Sequence, residues 1–197
     1  GILSDEEYYE TLNDIIKNTK NLSKTIDTFS GFIKYKKYKN VFCVQEKADD
    51  AIAIVDKALN NKGIKLIKKY DEEKIEVFNY YSLLSQALLN IITNSKEILL
   101  KREVKEPMII VTITKDKERA KIIVEDNGGG IEKDKIGKIF DPYFTTKHQS
   151  IGTGMGLHNS YNIVVNDLGG ELYAQNSNHG AKLFIEIPLN SSITVDN

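Results

Sequence analysis

The sequence predicts an α+β fold: a two-layer α/β sandwich, a mixed sheet covered by helices on one face, preceded by a long N-terminal helix. Three observations carry this prediction. Strand-like alternation appears twice in hairpin form, in "MIIVTITKDKERAKIIVED" and in "ELYAQNSNHGAKLFIEIP". Helical periodicity runs through "SLLSQALLNIITNSKEILL". Strands and helices alternate without the regular βαβ repetition of a parallel fold, and there is no internal repeat or low-complexity segment. With 197 residues, 41% hydrophobic and 28% charged, the chain can bury one or two ordinary cores. A formal charge of -1 gives no bulk attraction for nucleic acid. The single cysteine, Cys43, excludes an internal disulfide and fits a reducing compartment. No apolar run is long enough to span a bilayer, and no signal peptide is present, so a cytoplasmic chain without membrane contact is expected. The opening Gly1 suggests a piece of a larger parent, which is compatible with a parent anchored in the inner membrane.

Along the chain, Tyr8, Leu12, Ile15, Thr19, Leu22, Ile26, Phe29 and Ile33 alternate spacings of four and three, a heptad seam. Residues 1–40 are therefore expected to form a helical arm packed on partner helices; the alternative is an amphipathic helix folded on its own domain. Residues 41–190 form the sheet domain and residues 191–197 a tail. "VFCVQEKA" reads as a strand and "DDAIAIVDKALNNKG" as a helix with aspartate caps and a terminal glycine. "IKLIKKY" and "KIEVFN" read as short strands around "DEE". A helix follows over about 81–100, then the first hairpin, and finally the second hairpin with its turn at Asn178 to Gly180.

Three motifs carry chemistry. On the 81–100 helix, a rotation of about 100° per residue places Gln86, Asn90, Asn94, Glu97 and Lys101 in one polar strip, with Ala87, Leu88, Ile91, Ser95 and Ile98 on the apolar side. Solvated helix faces favour Lys and Glu; two asparagines cost helix propensity, which suggests that they meet a ligand. An amide oxygen can coordinate Mg²⁺ without adding charge. The first hairpin ends in "EDNGGGI", where Asp126 precedes Gly128, Gly129 and Gly130; by itself this is equally a strand ending in a flexible turn. In "IGTGMGLHNS" the glycines Gly152, Gly154 and Gly156 precede a helix. Their spacing fits neither a dinucleotide fingerprint nor a Walker A loop, and they are either an anion cradle or a tight turn.

Taken together and in this order, the motifs resemble those of the catalytic, ATP-binding domain of sensor histidine kinases, within the superfamily shared with gyrase, the heat-shock chaperone ATPases and mismatch-repair ATPases. "LLNIITNSKEIL" is similar to the N box, "EDNGGGI" to the G1 box, "IFDPYFTTK" to the F box and "GTGMGL" to the G2 box. The upstream segment is similar to the second helix of a dimerisation and phosphoacceptor hairpin. The resemblance implies ATP and Mg²⁺ as cofactors, bound between the helical layer and a lid. By it, Asp126 accepts a hydrogen bond from the adenine amino group, and Gly128 and Gly130 let the chain pass close to the nucleotide. Asn94 is the implied Mg²⁺ ligand, with Asn90 near the phosphates. Phe140 and Phe144 anchor the base of the lid, and Lys147 meets a phosphate. Gly152, Gly154 and Gly156 cradle the triphosphate, with Thr153 adding a hydroxyl. The implied ATP-lining set also takes in Glu97, Ile131, Thr145, Thr146, Met155 and Leu157; Asn90, Asn94 and Lys147 form its catalytic part.

Two departures bear on the reaction. Hydrolytic relatives carry a glutamate one turn before the Mg²⁺ asparagine, and Asn90 stands there instead; an amide is no general base, so hydrolysis is disfavoured. No histidine lies on the heptad segment. His148, His158 and His179 are expected to be structural or solvent-exposed, so no phosphoacceptor is expected in this chain. The implied partners are a response-regulator receiver domain and, in the parent, a second copy joined through the helical arm. A serine or threonine kinase of the same superfamily and an ATP-sensing interaction module remain as alternatives.

Overall fold

A computed structural model describes residues 38–144 and 154–189. The heptad segment, Thr145, Thr146, Lys147, His148, Gly152, Thr153 and the tail lie outside the described residues. The described elements are β1 (Asn40–Cys43), α1 (Val44–Asn60), β2 (Lys65–Tyr70), β3 (Glu76–Asn79), α2 (Tyr81–Lys101), β4 (Met108–Lys115) and β5 (Arg119–Asp126), then α3 (Gly156–Asn162), β6 (Glu171–Asn176) and β7 (Ala181–Pro188). A 3₁₀ turn at Ile136–Lys138 precedes α3, and α3 continues into a π-turn at Ile163–Asp167.

β2, β4, β5, β7 and β6 make a five-stranded sheet in that order, with β2 parallel to β4 and the other pairs antiparallel. The alternation read from the hairpins becomes the two faces of this sheet. Ile109, Val111 and Ile113 of β4, Ala120, Ile122 and Val124 of β5, and Leu183, Ile185 and Ile187 of β7 are all buried. The register Ile113↔Ile122↔Ile185 and Val111↔Val124↔Leu183 stacks them in rows. Leu84, Leu88, Ile91, Ile92 and Leu99 of α2 share that core, so one face of the sheet carries the helices. The opposite face is polar and paired: Lys121 Nζ meets Glu186 Oε1 at 2.8 Å, Arg119 Nη1 meets Glu171 Oε1 at 2.6 Å, and the Tyr173 and Phe184 rings stack at 4.7 Å. The sandwich expected from the pattern is thus the observed fold, and α2 lies within a residue of its expected span.

Two expectations need correction. The strand read from "VFCVQEKA" stops at Cys43, and the helix begins at Val44. Val44, Ala48, Ala51, Ile52 and Leu59 are spaced for one helical face and all are buried, so packing decides the segment for helix. Asp49 and Asp50 are consequently not caps but lie within α1. Asp49 Oδ1 accepts from Lys68 Nζ (2.7 Å) and Tyr70 Oη (3.0 Å), tying β2 to α1, and burial with this bond raises the Tyr70 pKa. Secondly, the strands flanking "DEE" belong to different sheets: β2 takes the edge of the main sheet, while β3 pairs with β1 in a separate two-stranded ribbon. The glycine expected to end α1 does so: Gly63, at φ +66°, donates to Asn60 O at 3.0 Å and lets Ile64 N reach Leu59 O at 3.1 Å. The second hairpin turns as expected, with Ser177 N donating to Gly180 O at 2.8 Å.

Leu88 is fully buried where α2 faces the sheet, so Leu88→Ala should cost about 2–5 kcal/mol in urea-monitored unfolding. Ile54, 70% exposed on α1, should lose no more than about 0.5 kcal/mol on the same change.

Candidate nucleotide site

The polar strip on α2 is where periodicity placed it: Gln86, Asn90, Asn94 and Glu97 are each partly exposed, while Leu84, Leu88 and Ile91 on the other side are fully buried. Ser95, on the apolar side, is also buried, with its Oγ lacking a partner of ordinary hydrogen-bond geometry. Asn90 Nδ2 reaches Gly156 O at 3.4 Å, so the first asparagine joins the N-box helix to the start of α3. Asn94 lies one turn further on.

β5 delivers Asp126 to the end of the sheet beside α2, where it is 6% exposed. Its Oδ1 accepts from Gly128 N at 2.9 Å and Ala181 N at 3.3 Å, which fixes the carboxyl plane and leaves Oδ2 outside both bonds. Burial raises its pKa above the ordinary value; the two N–H donors, the nearby Ser95 hydroxyl and the Arg102 charge act in the opposite direction. The approach of the chain here requires glycine. A Cβ on Gly128 would stand 3.0 Å from both Asp126 Oδ1 and Ile98 Cγ2, and one on Gly180 would stand 1.8 Å from Asp126 O. Gly129 and Gly130 have φ of +85° and +81°.

Two residues outside the four motifs hold this turn. Arg102, the C-cap of α2, donates through Nη1 to Gly128 O and, at 2.8 Å, to Gly130 O. Asn176, at the end of β6, donates to Ile131 O and accepts from Ile131 N, both at 2.7 Å. In the sequence, Arg102 is a cation at a helix C-terminus and Asn176 opens a turn. Both residue types are common in those places, so no local signal marks them.

Phe140 is partly buried and its ring lies 5.6 Å from that of Tyr161. His158 links the same elements: Nδ1 lies 2.9 Å from Phe140 O, and Nε2 lies 3.0 Å from Asn162 Nδ2. A carbonyl only accepts and an amide nitrogen only donates, so these partners assign the proton to Nδ1. Gly154, at φ +66°, touches the Tyr143–Phe144 backbone; a Cβ there would stand 2.6 Å from Tyr143 C. Tyr143 and Phe144 of the F box are therefore in contact with Gly154 of the G2 box, with Met155 and Leu157 following Gly154 into α3. His158 is structural and His179 exposed in its turn, both as expected. A cavity of ≈ 290 Å³ lies against Asp126, lined also by Met108, Ile110, Glu125, Asn127 and His179; it takes in no residue of α2.

Asn90 of α2 thus meets Gly156 at the start of α3, and Gly128, next to Asp126 at the β5 end, lies against Ile98 of the same helix. Residues 79–191 match the family described as histidine kinase-, DNA gyrase B-, and HSP90-like ATPase, a span that contains both asparagines, Asp126 and all the motif glycines. The chain belongs to this ATPase family. Within it, the chain is 30% identical over 147 residues to the two-component sensor PprA of Pseudomonas aeruginosa, covering 72% of this chain and 16% of that protein. It is 29% identical over 189 residues to the signal transduction histidine-protein kinase AtoS of Escherichia coli, covering 95% of this chain and 30% of that protein. The nucleotide-free catalytic domain of histidine kinase ThkA superposes with a TM-score of 0.69 at 25% identity, over 76% of this chain and 95% of that one. These similarities place the chain, within the ATPase family, among the catalytic domains of sensor histidine kinases. It spans less than a third of the length of the two curated relatives. Among the described residues, no helix of this ATPase domain is long and apolar enough to cross a membrane.

The Asp126 environment has a measurable consequence. A carboxyl whose folded pKa lies above its unfolded value binds more protons folded than unfolded, so stability falls as pH rises between the two values. Asp126→Asn keeps an acceptor for Gly128 and Ala181 N–H and removes the ionisation. Nucleotide-free Asp126→Asn should therefore melt above the parent at pH 7, and the two should converge below pH 3.8, the ordinary carboxyl value. A variant that melts below the parent at pH 7 would show the carboxylate to be a net stabiliser.

Proposed function

We propose that the chain is the ATP-binding part of a two-component sensor histidine kinase, and that it presents Mg-ATP for transfer of the γ-phosphoryl group to an imidazole nitrogen of a histidine outside this chain, with ADP leaving. One observation carries this reading furthest: a buried carboxylate with one oxygen held by backbone N–H groups stands at a glycine turn packed on the helix that carries two asparagine amides. A buried acceptor of this kind costs stability unless a donor arrives, and the adenine amino group is such a donor. The amide oxygen of Asn94 suits Mg²⁺, which keeps several waters and shares phosphate oxygens. The bound ion would neutralise phosphate charge.

Asn90 already bridges to Gly156 O and offers no carboxylate to activate water, which favours transfer over hydrolysis. Lys147, Thr153 and Gly152 are proposed to meet the phosphates, and Thr145, Thr146 and Phe144 to border them. The acceptor histidine would then pass the phosphoryl group to an aspartate of a response-regulator receiver domain. The parent would be a homodimer through the 1–40 arm, and it would work in the cytoplasm. Catalysis in this reading comes chiefly from orientation and charge neutralisation, as in other phosphoryl transfers.

The direct test supplies the chain with labelled Mg-ATP and a separate helical hairpin bearing the acceptor histidine. Acid-labile phosphate should form on the hairpin and not on His148, His158 or His179; a pure ATP sensor would label neither. Binding supplies the second test. Guanine presents a carbonyl oxygen where adenine has its amino group, so calorimetry should show ATP binding at least about tenfold more tightly than GTP, a gap of about 1.4 kcal/mol. Asp126→Ala should weaken ATP and narrow that gap. Asp116→Ala, whose carboxylate accepts from Glu118 N and Arg119 N in the β4–β5 turn, should leave it unchanged. Asn94→Ala should weaken ATP and flatten the Mg²⁺ dependence; an unaltered Mg²⁺ titration would remove Asn94 from the metal site.

A further inference from the structure

Three glycines in succession leave residues 128–130 with little intrinsic conformational preference, because glycine loses more conformational freedom on folding than any other residue. Yet the adenine reading requires Asp126 and the turn after it to stand in one geometry. Backbone pairing alone does not supply this. Gly128 N is taken by Asp126 Oδ1 and Gly129 N by His179 O at 2.9 Å, but the remaining polar groups from Gly128 to Ile131 that are paired are held by side chains from elsewhere. Gly128 O and Gly130 O both accept from Arg102 Nη1. Ile131 N and Ile131 O are both met by the Asn176 amide. That amide acts as a strand partner for a residue in no strand, and Gly130 makes room for it: a Cβ there would stand 2.8 Å from Asn176 Oδ1.

The two clamps come from opposite sides. Arg102 closes α2, so it joins the turn to the helix that carries Asn90 and Asn94. Asn176 closes β6, at the far edge of the sheet. The Arg102 bonds are charge-assisted, and one guanidinium nitrogen spans two carbonyls that flexible glycines would otherwise leave to water.

Resting on the adenine reading above, we propose that Arg102 and Asn176 are positioning residues for base recognition: they never touch the nucleotide, but hold the Gly128–Ile131 backbone so that the Asp126 carboxyl meets the adenine edge in a single orientation. Nucleotide selectivity would then depend on a helix cap and a strand end as well as on the carboxylate. A lysine in place of Arg102 would keep the charge but lose the fixed fork, so it should restore only part of the effect. Asn176→Asp would keep the acceptor for Ile131 N but turn an acceptor toward Ile131 O.

The experiment titrates ATP and GTP calorimetrically against the parent, Arg102→Met, Arg102→Lys, Asn176→Ala and Asn176→Asp, with Arg119→Met as a control that breaks a remote ion pair. Hydrogen exchange at Gly129 and Ile131 is followed in the same proteins. Arg102→Met and Asn176→Ala should each lower ATP affinity tenfold or more, bring the ATP-to-GTP ratio toward one, and speed exchange at Gly129 and Ile131 at least tenfold. Arg102→Lys should fall between Arg102→Met and the parent, and it carries the test if Arg102→Met does not fold. Arg119→Met should keep the parental ratio even if its melting temperature drops, which separates positioning from general stability. A parental ratio in folded Arg102→Lys and Asn176→Ala would overturn the proposal while leaving the adenine reading intact. A parent that binds ATP and GTP equally would overturn the adenine reading and the proposal together, and is recognised before any variant is made.

Discussion

The burial of one carboxylate, Asp126, is the constraint around which the rest of the site is arranged. A carboxylate withdrawn from water needs hydrogen-bond donors, and here they are backbone N–H groups from two different segments, Gly128 after β5 and Ala181 at the start of β7. Those segments pass close to it, so Gly180 lies nearer to Asp126 than a side chain allows and a Cβ on Gly128 would be tight against its Oδ1. The sheet supplies the platform: β5 is central in the five strands, Glu125 is paired on both sides, and Asp126 after it is paired with Ile109 of β4. The cost is visible in the raised pKa, and an arriving donor would recover it.

α2 serves two demands with one periodicity. Its apolar side fills the core beneath β4, β5 and β7, while its polar side carries Asn90, which reaches Gly156 at the start of α3, and Asn94 one turn further on. Because the same helix is anchored by fully buried Leu84, Leu88, Ile91 and Ile92, the asparagines stand on a rigid element rather than on a loop. Its last turn extends the arrangement. Arg102 carries the helix into the glycine turn, so the two asparagines and Asp126 belong to one connected framework. An amide at position 90 offers this framework no general base.

α3 is joined to its surroundings by contacts of a different kind. His158 accepts from Asn162 and donates to Phe140 O, Phe140 and Tyr161 pack ring to ring, and Gly154 lies against the Tyr143–Phe144 backbone. Tyr143 and Phe144 of the F box and Gly154 of the G2 box are thereby brought side by side. Both ring nitrogens of the histidine are taken up by these bonds.

The sequence by itself determined whatever depends on near neighbours in the chain. The alternation of β4, β5 and β7, the polar strip of α2, the turn glycines and the order of the four motifs are all local patterns, and their period is imposed by backbone geometry. For that reason the fold class and the identities of Asn90, Asn94, Asp126 and the motif glycines are legible in the amino-acid order alone. Tertiary structure alone decided what depends on partners far along the chain. Val44 to Ala48 became helix because its apolar residues found a core, not because of their strand propensity. β2 joined β4 in parallel and left β3 to the ribbon. Arg102 and Asn176 became clamps because the fold brings Arg102 within hydrogen-bond reach of a turn 26 residues away, and Asn176 within reach of one 45 residues away. Such residues look ordinary where they stand in the sequence, since a hydrogen bond between distant segments leaves no period for a local reading to detect.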